Sequence, residues 1–355
     1  MQSWDVVEHG KPLQRVMKET PVPRGTEVLV RVTRSGVCHS DLHIWDGYFD
    51  WGGGKRFYVK DRGCVPPFTL GHEAFGVVEA VGPGVAKAAK GVKVGQKRIV
   101  FPWIGCGTCA ICKSEQDNYC VSGSRFLGVN RNGAYASHVL VPHPKYLVDP
   151  TGIDDAFAAT LACSGLTTYS ATAKLPELGA KDWVAVIGCG GLGLVCISVL
   201  RAKGVKNIVA CDVDEGKLAA AKKLGAKLTL DTRAPEATQK LQALAMGSLA
   251  GAIDLVGMPA TAALGLGALR KGGRYVLCGL FGGEITHPLP PFAQRAIGLV
   301  GSYVGNLQEL REVVALAKKK KLKPTPVSTR PATEVNAVLE ELKAGKVLGR
   351  VVLAF

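Results

Sequence analysis

Long apolar runs are missing from this chain: nowhere do the roughly 18 consecutive apolar residues needed to cross a bilayer occur. No amino-terminal stretch joins a basic start, an unbroken apolar core and a small-residue cleavage site. These absences predict a cytoplasmic protein with no membrane partner. Internal repeats and low-complexity segments are lacking too, which excludes solenoids and arrays. Aromatic residues make up only 6% of the chain and are not interleaved with its basic residues. The formal net charge of +15 therefore does not read as a nucleic-acid surface. Its one dense basic run, Lys318 to Lys321 with Lys323, ends a helical pattern carried by Leu310, Val313, Val314 and Ala317, just before Pro324. Cations suit that negative end of a helix dipole. The excess charge is expected to attract an anionic cofactor and acidic metabolites rather than a polyanion.

What the chain does have is size and cysteine. With 355 residues, 47% of them apolar, it exceeds the length at which a single core keeps growing, so two domains are expected. Eleven cysteines are an odd number in a chain too long to need staples. In a reducing compartment they read as metal ligands or buried small hydrophobes. Cys106, Cys109, Cys112 and Cys120 follow one another at steps of three, three and eight residues. Short Cys-x-x-Cys steps let one turn place two sulfurs on the same ion, and four thiolates make a closed tetrahedral zinc site. Gly105 and Gly107 supply the turn.

The texture changes along the chain. Up to about Asp149 it is rich in glycine, valine and turn signals, with alternation in Glu27 to Val32, Gly76 to Val81 and Ala136 to Val141, which predicts an irregular antiparallel β region. From Lys181 continuous apolar runs appear, as expected of strands buried on both faces, at Val184 to Ile187, Ile208 to Cys211, Ile253 to Val256, Tyr275 to Cys278 and Gly298 to Ser302. Helical stretches such as Glu215 to Leu224, closed by Gly225, separate them, so the second region is an α/β doubly wound parallel sheet. After Gly305 comes a helix-rich tail ending in an apolar strand, Val351 to Phe355, able to return to the first region.

Gly188, Gly190, Gly191, Leu192 and Gly193 lie between a strand and a helix, the context that makes a glycine pattern a dinucleotide turn. The glycines allow close backbone approach, and the pyrophosphate rests on the helix amino terminus. Asp212, 24 residues after Gly188 at the end of the next strand, would accept hydrogen bonds from both adenosine ribose hydroxyls. A 2′-phosphate would meet the charges of Asp212 and Asp214 with only Lys217 nearby to offset them, which favours NAD over NADP.

Cys38-His39-Ser40-Asp41-Leu42-His43, Gly71-His72-Glu73 and Ala162-Cys163-Ser164-Gly165 hold the ligand types of a catalytic zinc. Together with the cysteine cage and the glycine turn, in this order, the chain resembles the zinc-dependent medium-chain alcohol dehydrogenase family over essentially its whole length. The resemblance implies a GroES-like β-rich catalytic domain in residues 1–164 and 305–355 around a Rossmann NAD-binding domain in 165–304. It implies two zinc ions per subunit, with Cys38, His72 and Cys163 holding the catalytic one. Two thiolates and a neutral histidine cancel the charge of that ion, which can still polarise an oxygen, whereas the four thiolates of the cage over-neutralise the other and close its shell. It further implies that Asp41 orients His72, that Glu73 is an outer or transient ligand, and that Ser40 passes the substrate proton through the nicotinamide ribose to His43. His39 and Arg350 would contact the pyrophosphate; Thr167, Gly279 and Leu280 would flank the nicotinamide. The expected partners are a small-molecule alcohol with its aldehyde or ketone and further copies of the chain, as a homodimer or homotetramer.

Between Cys38 and His72 lie 33 residues, more than compact members of that family carry, and they contain Trp45, Tyr48, Phe49, Trp51, Phe57 and Tyr58. Bounded by zinc ligands, this insertion is placed over the substrate mouth, where its aromatics, with Trp103, suit an apolar or ring-containing alcohol. The competing reading is an aromatic hinge packed on a neighbouring subunit. Two alternatives to the activity stand: a polyol or specialised-pathway dehydrogenase, against which the intact cage argues, and a zinc-ribbon nucleic-acid-binding protein with an incidental glycine turn.

Overall fold

The computed structural model describes residues 1–88 and 91–355. Two sheets organise it. The first is seven-stranded and built on the long strand Val28–Val37, whose alternating Val28, Val30 and Val32 are buried. Glu73–Val81, His138–Val141 and Arg350–Ala354 all pair with it antiparallel. Lys97–Val100 and then Leu147–Val148 extend one side, and Val327–Pro331 runs parallel to Arg350–Ala354 on the other. The carboxyl-terminal strand thus returns to the first region, bringing Arg350 with it. A small three-stranded sheet, Gln2–Val6 with Gln14–Met17 and Phe68–Thr69, flanks this body.

The second sheet is wholly parallel, with six strands in the order Leu228–Asp231, Ile208–Asp212, Trp183–Ile187, Leu249–Asp254, Arg274–Leu277 and Gly298–Gly301. The strand order reverses direction between Trp183–Ile187 and Leu249–Asp254, and a doubly wound sheet opens its ligand crevice at such a switch point, beyond the carboxyl ends of the strands. Apolar clusters cover both faces. The helix Gly191–Ala202 belongs to two cores at once. Leu194, Cys196, Ile197 and Leu200 pack on the parallel sheet, while Val195 and Val199 join the cluster that holds Cys38 and Cys163. Burying each such side chain contributes about 1.5–3 kcal/mol, so this helix ties the glycine turn rigidly to the first region. Helix Glu215–Leu224 carries its signals locally: Asp214 accepts from the Lys217 amide at 2.8 Å, and Gly225 ends it at φ +116°.

Two strands differ from the expectation. The one expected at Ile253 to Val256 runs from Leu249 to Asp254. It ends there because Asp254 Oδ1 accepts from the amides of Val256 and Gly257 at 2.8 and 2.9 Å and turns the chain. Its first four residues are Leu-Ala-Gly-Ala, and Gly251 among them must stay small because a side chain there would come within 2.4 Å of Leu175. The edge strand Leu228–Asp231 was not foreseen; only Leu230 in it is fully buried, too little for an apolar run. The aromatic insertion is ordered rather than a plain loop. Tyr48–Gly52 pairs antiparallel with Lys55–Tyr58 around Gly52, Gly53 and Gly54, all at positive φ.

Candidate active site and metal centres

Three separate elements bring Cys38, His72 and Cys163 together. Cys38 caps the helix His39–Asp46. His72 immediately precedes the strand Glu73–Val81. Cys163 sits in a π-helical turn, Leu161–Gly165, between the α-helices Asp155–Thr160 and Leu166–Ala173. Such a widened turn re-aims a side chain without breaking the helix and is frequent at functional sites. All three side chains are buried, and their ligand atoms, with a carboxylate oxygen of Glu73, lie within 4.8 Å of one another.

The donor set fits a tetrahedral ion. The sulfurs of Cys38 and Cys163 are 3.9 Å apart, close to the edge of about 3.8 Å for ligands about 2.3 Å from a tetrahedral centre. His72 Nδ1 is 3.0 Å from Asp41 Oδ1. A carboxylate only accepts, so the proton sits on Nδ1 and leaves Nε2 as a lone pair. That Nε2 is buried and has no hydrogen-bond partner among the described residues, as expected of a ligand atom aimed at a cation. The sulfur–sulfur contact lowers the Cys38 thiol well below its ordinary value and raises that of Cys163. The two thus share one proton, which a metal would displace. Burial alone would lower His72, but the charge and hydrogen bond of Asp41 reverse this and raise it, so a metal bound at Nε2 would take the place of a proton there.

Around these ligands lie residues that were not foreseen in their connections. Asp41 Oδ2 accepts from the Cys38 amide at 2.9 Å and from the Tyr135 hydroxyl at 2.8 Å, so one buried carboxylate orients both a cysteine and the histidine. No local signal marks Tyr135, 94 positions away. Glu73 is buried, and Oε1 accepts from the Arg350 guanidinium. Burial raises its carboxyl to about 7 against the pull of that guanidinium. Gly36 makes room, since a side chain there would meet Glu73 Oε2 at 2.0 Å. With Glu73 paired to Arg350, the two sulfurs would be the charged groups left to face a bound ion.

The cysteine cage is equally formed. Cys106, Cys109, Cys112 and Cys120 bring their sulfurs within 4.8 Å of one another, with Cys106 and Cys112 at 3.9 Å. The Thr108 hydroxyl and the amides of Cys109 and Thr108 donate to Cys106 and hold its thiol at about 5, while burial pushes Cys112 up to about 12. A side chain on Gly105 would strike Cys112 Sγ at 2.4 Å, and Gly107 turns at φ +78°.

Two cavities adjoin at Leu192. A crevice of about 290 Å³ is lined by the glycine turn, Asp212, Lys217, His39 and Arg350. Gly188 turns at φ +87°, and a side chain on Gly193 would lie 1.9 Å from the Gly188 carbonyl, whereas one on Gly190 would meet nothing within 4 Å. The first two are demanded by the turn; the third leaves backbone open to the crevice, as a phosphate cradle requires. Arg350 Cδ would be 2.6 Å from a side chain on Gly191, so this arginine spans from the glycine turn to Glu73. Asp212 is held by the amides of Cys189 and Asp214 at 2.6 and 2.9 Å. His39 stacks on Phe281, 4.6 Å between ring centres.

The second cavity, about 470 Å³, is lined by Cys38, His72 and Cys163, by Ser40 and Thr167, and by Gly279 and Leu280. Thr167 Oγ1 is buried without a partner among the described residues. Leu192 lines both cavities. Phe49, Trp51, Phe57 and Trp103 form much of its apolar wall. Trp45 instead packs in the core and donates to the Lys11 carbonyl, while Tyr48 and Tyr58 lie beneath Arg56 and Lys60. His43 lines neither cavity; its ring stacks on Phe49 at 4.7 Å, and burial lowers it to about 4.

The chain is similar to known proteins along its whole length. Residues 24–150 fit the family model described as alcohol dehydrogenase GroES-like domain, and residues 191–319 fit zinc-binding dehydrogenase. A protein of Sulfurisphaera tokodaii named NAD-dependent alcohol dehydrogenase is 36% identical over 99% of both chains. An alcohol dehydrogenase of Geobacillus stearothermophilus is 35% identical over 98% of both. Among solved structures, the alcohol dehydrogenase of Aeropyrum pernix superposes with a TM-score of 0.89 at 32% identity over 100% of each chain. Acetophenone reductase from Geotrichum candidum, in complex with NAD, gives 0.85 at 28% identity over 100% of this chain and 97% of that one.

Proposed function

The chain belongs to the zinc-binding medium-chain alcohol dehydrogenase family, and from that premise we propose that it interconverts an apolar, ring-bearing alcohol and its aldehyde or ketone with NAD. The observation that carries this reading is the adjacency of two cavities through Leu192, one holding the Cys38–His72–Cys163 set and the other the glycine turn. Bound zinc supplies a Lewis acid that makes an alcohol hydroxyl acidic near neutral pH, and bound NAD supplies the hydride acceptor.

The residues do the positioning. Cys38, His72 and Cys163 hold the ion, and Asp41 keeps the His72 proton on Nδ1. Asp212 takes the adenosine ribose hydroxyls, with Lys217 at the same rim, while Arg350 and His39 face the pyrophosphate. Thr167, Gly279 and Leu280 flank the nicotinamide and exclude water from the reacting carbon. Ser40 would accept the proton of the substrate hydroxyl while passing its own on toward His43, which, neutral at pH 7, is the outlet toward solvent. Cys106, Cys109, Cys112 and Cys120 hold a structural zinc. Phe49, Trp51, Phe57 and Trp103 select the apolar substrate. Residues 1–164 with 305–355 form the GroES-like catalytic unit and 165–304 the cofactor unit.

The same reading places the protein in the cytoplasm as a homodimer or homotetramer. No helix among the described residues is long and apolar enough to cross a membrane. Strand Gly298–Gly301 is an outer edge of the parallel sheet, with Leu299 41% exposed. The test is NADH formation by the zinc-loaded enzyme across short, cyclic and aromatic alcohols, beside Cys163→Ser. Turnover on ring alcohols, lost in Cys163→Ser while NADH fluorescence enhancement persists, is expected. Turnover retained in that variant, or none with any alcohol, would reject the proposal.

A further inference from the structure

Arg62 is a cation in the wall of an otherwise aromatic cavity. It lies between the strand Lys55–Tyr58 and Cys64 and lines the same space as the Cys38–His72–Cys163 set. Its guanidinium carbon sits 4.6 Å from the centre of the Phe57 ring, and Phe57 in turn stacks on Trp51 at 4.9 Å. A guanidinium laid flat on a ring keeps its hydrogen-bonding edges free. Among the described residues Arg62 enters no ion pair and no side-chain hydrogen bond, unlike Arg233, Arg270, Arg330 and Arg350, which all hold carboxylates. The other formally charged surface residue lining this cavity, Asp50, accepts from the Gly52 amide at 2.8 Å within its own turn.

Tyr303 lines the same cavity, its ring centre 6.2 Å from that of Trp103. The cavity therefore combines the metal-ligating set, an aromatic wall and one guanidinium with unused donors. A neutral alcohol would leave those donors to water. A substrate bearing a carboxylate away from its reacting carbon would engage them in the paired geometry that a planar guanidinium offers.

We propose that Arg62 is the anion-recognising subsite of this cavity, selecting alcohols and aldehydes that carry a carboxylate on the far side of an apolar or ring body. The proposal rests on the dehydrogenase reading above. A charged substrate of the opposite sign is disfavoured by the same residue.

The test compares 4-(hydroxymethyl)benzoate with benzyl alcohol, using the zinc-loaded full chain and NAD, in wild type, Arg62→Gln and Arg62→Lys. In wild type the ratio of kcat/KM, carboxylated over neutral, is expected to exceed one. Arg62→Gln should reduce that ratio about tenfold or more through KM, the order expected of a charge-assisted hydrogen bond. Arg62→Lys should restore part of it, and salt should erode the wild-type ratio. A ratio unchanged by Arg62→Gln would overturn the proposal. A second arm needs no turnover: with NADH bound, 4-(hydroxymethyl)benzoate is titrated against the fluorescence of Trp51 and Trp103 in the cavity wall. Binding weakened about tenfold in Arg62→Gln supports the subsite even if no alcohol is oxidised, a result that would sink only the catalytic reading. Equal binding by wild type and variant overturns the subsite even if alcohols are oxidised.

Discussion

Replacing Asp41 by asparagine tests how the buried carboxylate serves the proposed zinc. Its two oxygens accept from three donors: His72 Nδ1 at 3.0 Å, the Cys38 amide at 2.9 Å and the Tyr135 hydroxyl at 2.8 Å. An amide has one accepting atom, so asparagine cannot satisfy all three. If its oxygen serves Cys38 and Tyr135, its NH2 faces His72 Nδ1 and drives the imidazole proton to Nε2, the nitrogen that must stay bare to bind a metal. If the oxygen serves His72, the Cys38 amide and the tyrosine lose their acceptor in a fully buried site. Either arrangement loses a hydrogen bond to a charged group, worth about 1.5–3 kcal/mol. That corresponds to the 10–100-fold loss of metal affinity typical of removing an outer partner of a ligating histidine. Zinc retention against a graded chelator, counted per chain, is the assay. One zinc should leave at chelator concentrations about 10–100-fold lower than in wild type, while the zinc of the four-cysteine cage stays as an internal control. Zinc affinity within twofold of wild type at both sites would refute this reasoning, as would loss from the cage instead.

Asp212→Gly should weaken NADH binding and shift the NAD to NADP preference toward NADP, because it removes a charge from the crevice and also frees the Cys189 amide. Steady-state ratios with both coenzymes check this, and an unaltered ratio would remove the assignment. Cys112→Ser should lower thermal stability or assembly more than it changes the rate of hydride transfer, since its sulfur closes a cage outside both cavities; melting and single-turnover measurements separate the two. Gly193→Ala places a methyl carbon 1.9 Å from the Gly188 carbonyl and should abolish NADH fluorescence enhancement while both zinc ions remain; normal NADH binding would refute the packing given to this turn.

The sequence made the parts legible where chemistry is local. The cage, the glycine turn and the helix bounded by Asp214 and Gly225 each carry their full signal within about a dozen residues. The fold class followed from apolar runs whose burial on two faces is a property of the strands themselves. What was hidden was distance. The Glu73–Arg350 pair spans 277 positions and the Tyr135–Asp41 bond 94, and neither residue has a neighbour that announces its partner. The strand Leu249–Asp254 was displaced in the reading because Gly251 must stay small beneath Leu175, which thins the apolar signal where the strand begins. Of the insertion, the aromatic content was visible but not its division. Phe49, Trp51 and Phe57 line the cavity whereas Trp45 is core, since alternation in a hairpin and the end of a helix send neighbouring rings to different places.

In the proposed arrangement a zinc held by Cys38, His72 and Cys163 faces a nicotinamide that reaches from the glycine-turn crevice past Leu192 into the ligands' own cavity. Anomalous diffraction at the zinc edge from crystals grown with NADH tests it directly. Two peaks are expected per chain, one in the cage and one about 2.3 Å from the sulfurs of Cys38 and Cys163 and about 2.1 Å from His72 Nε2, with the nicotinamide beside Thr167 and Leu192. A single peak in the cage, or NADH bound away from the glycine turn, would contradict it.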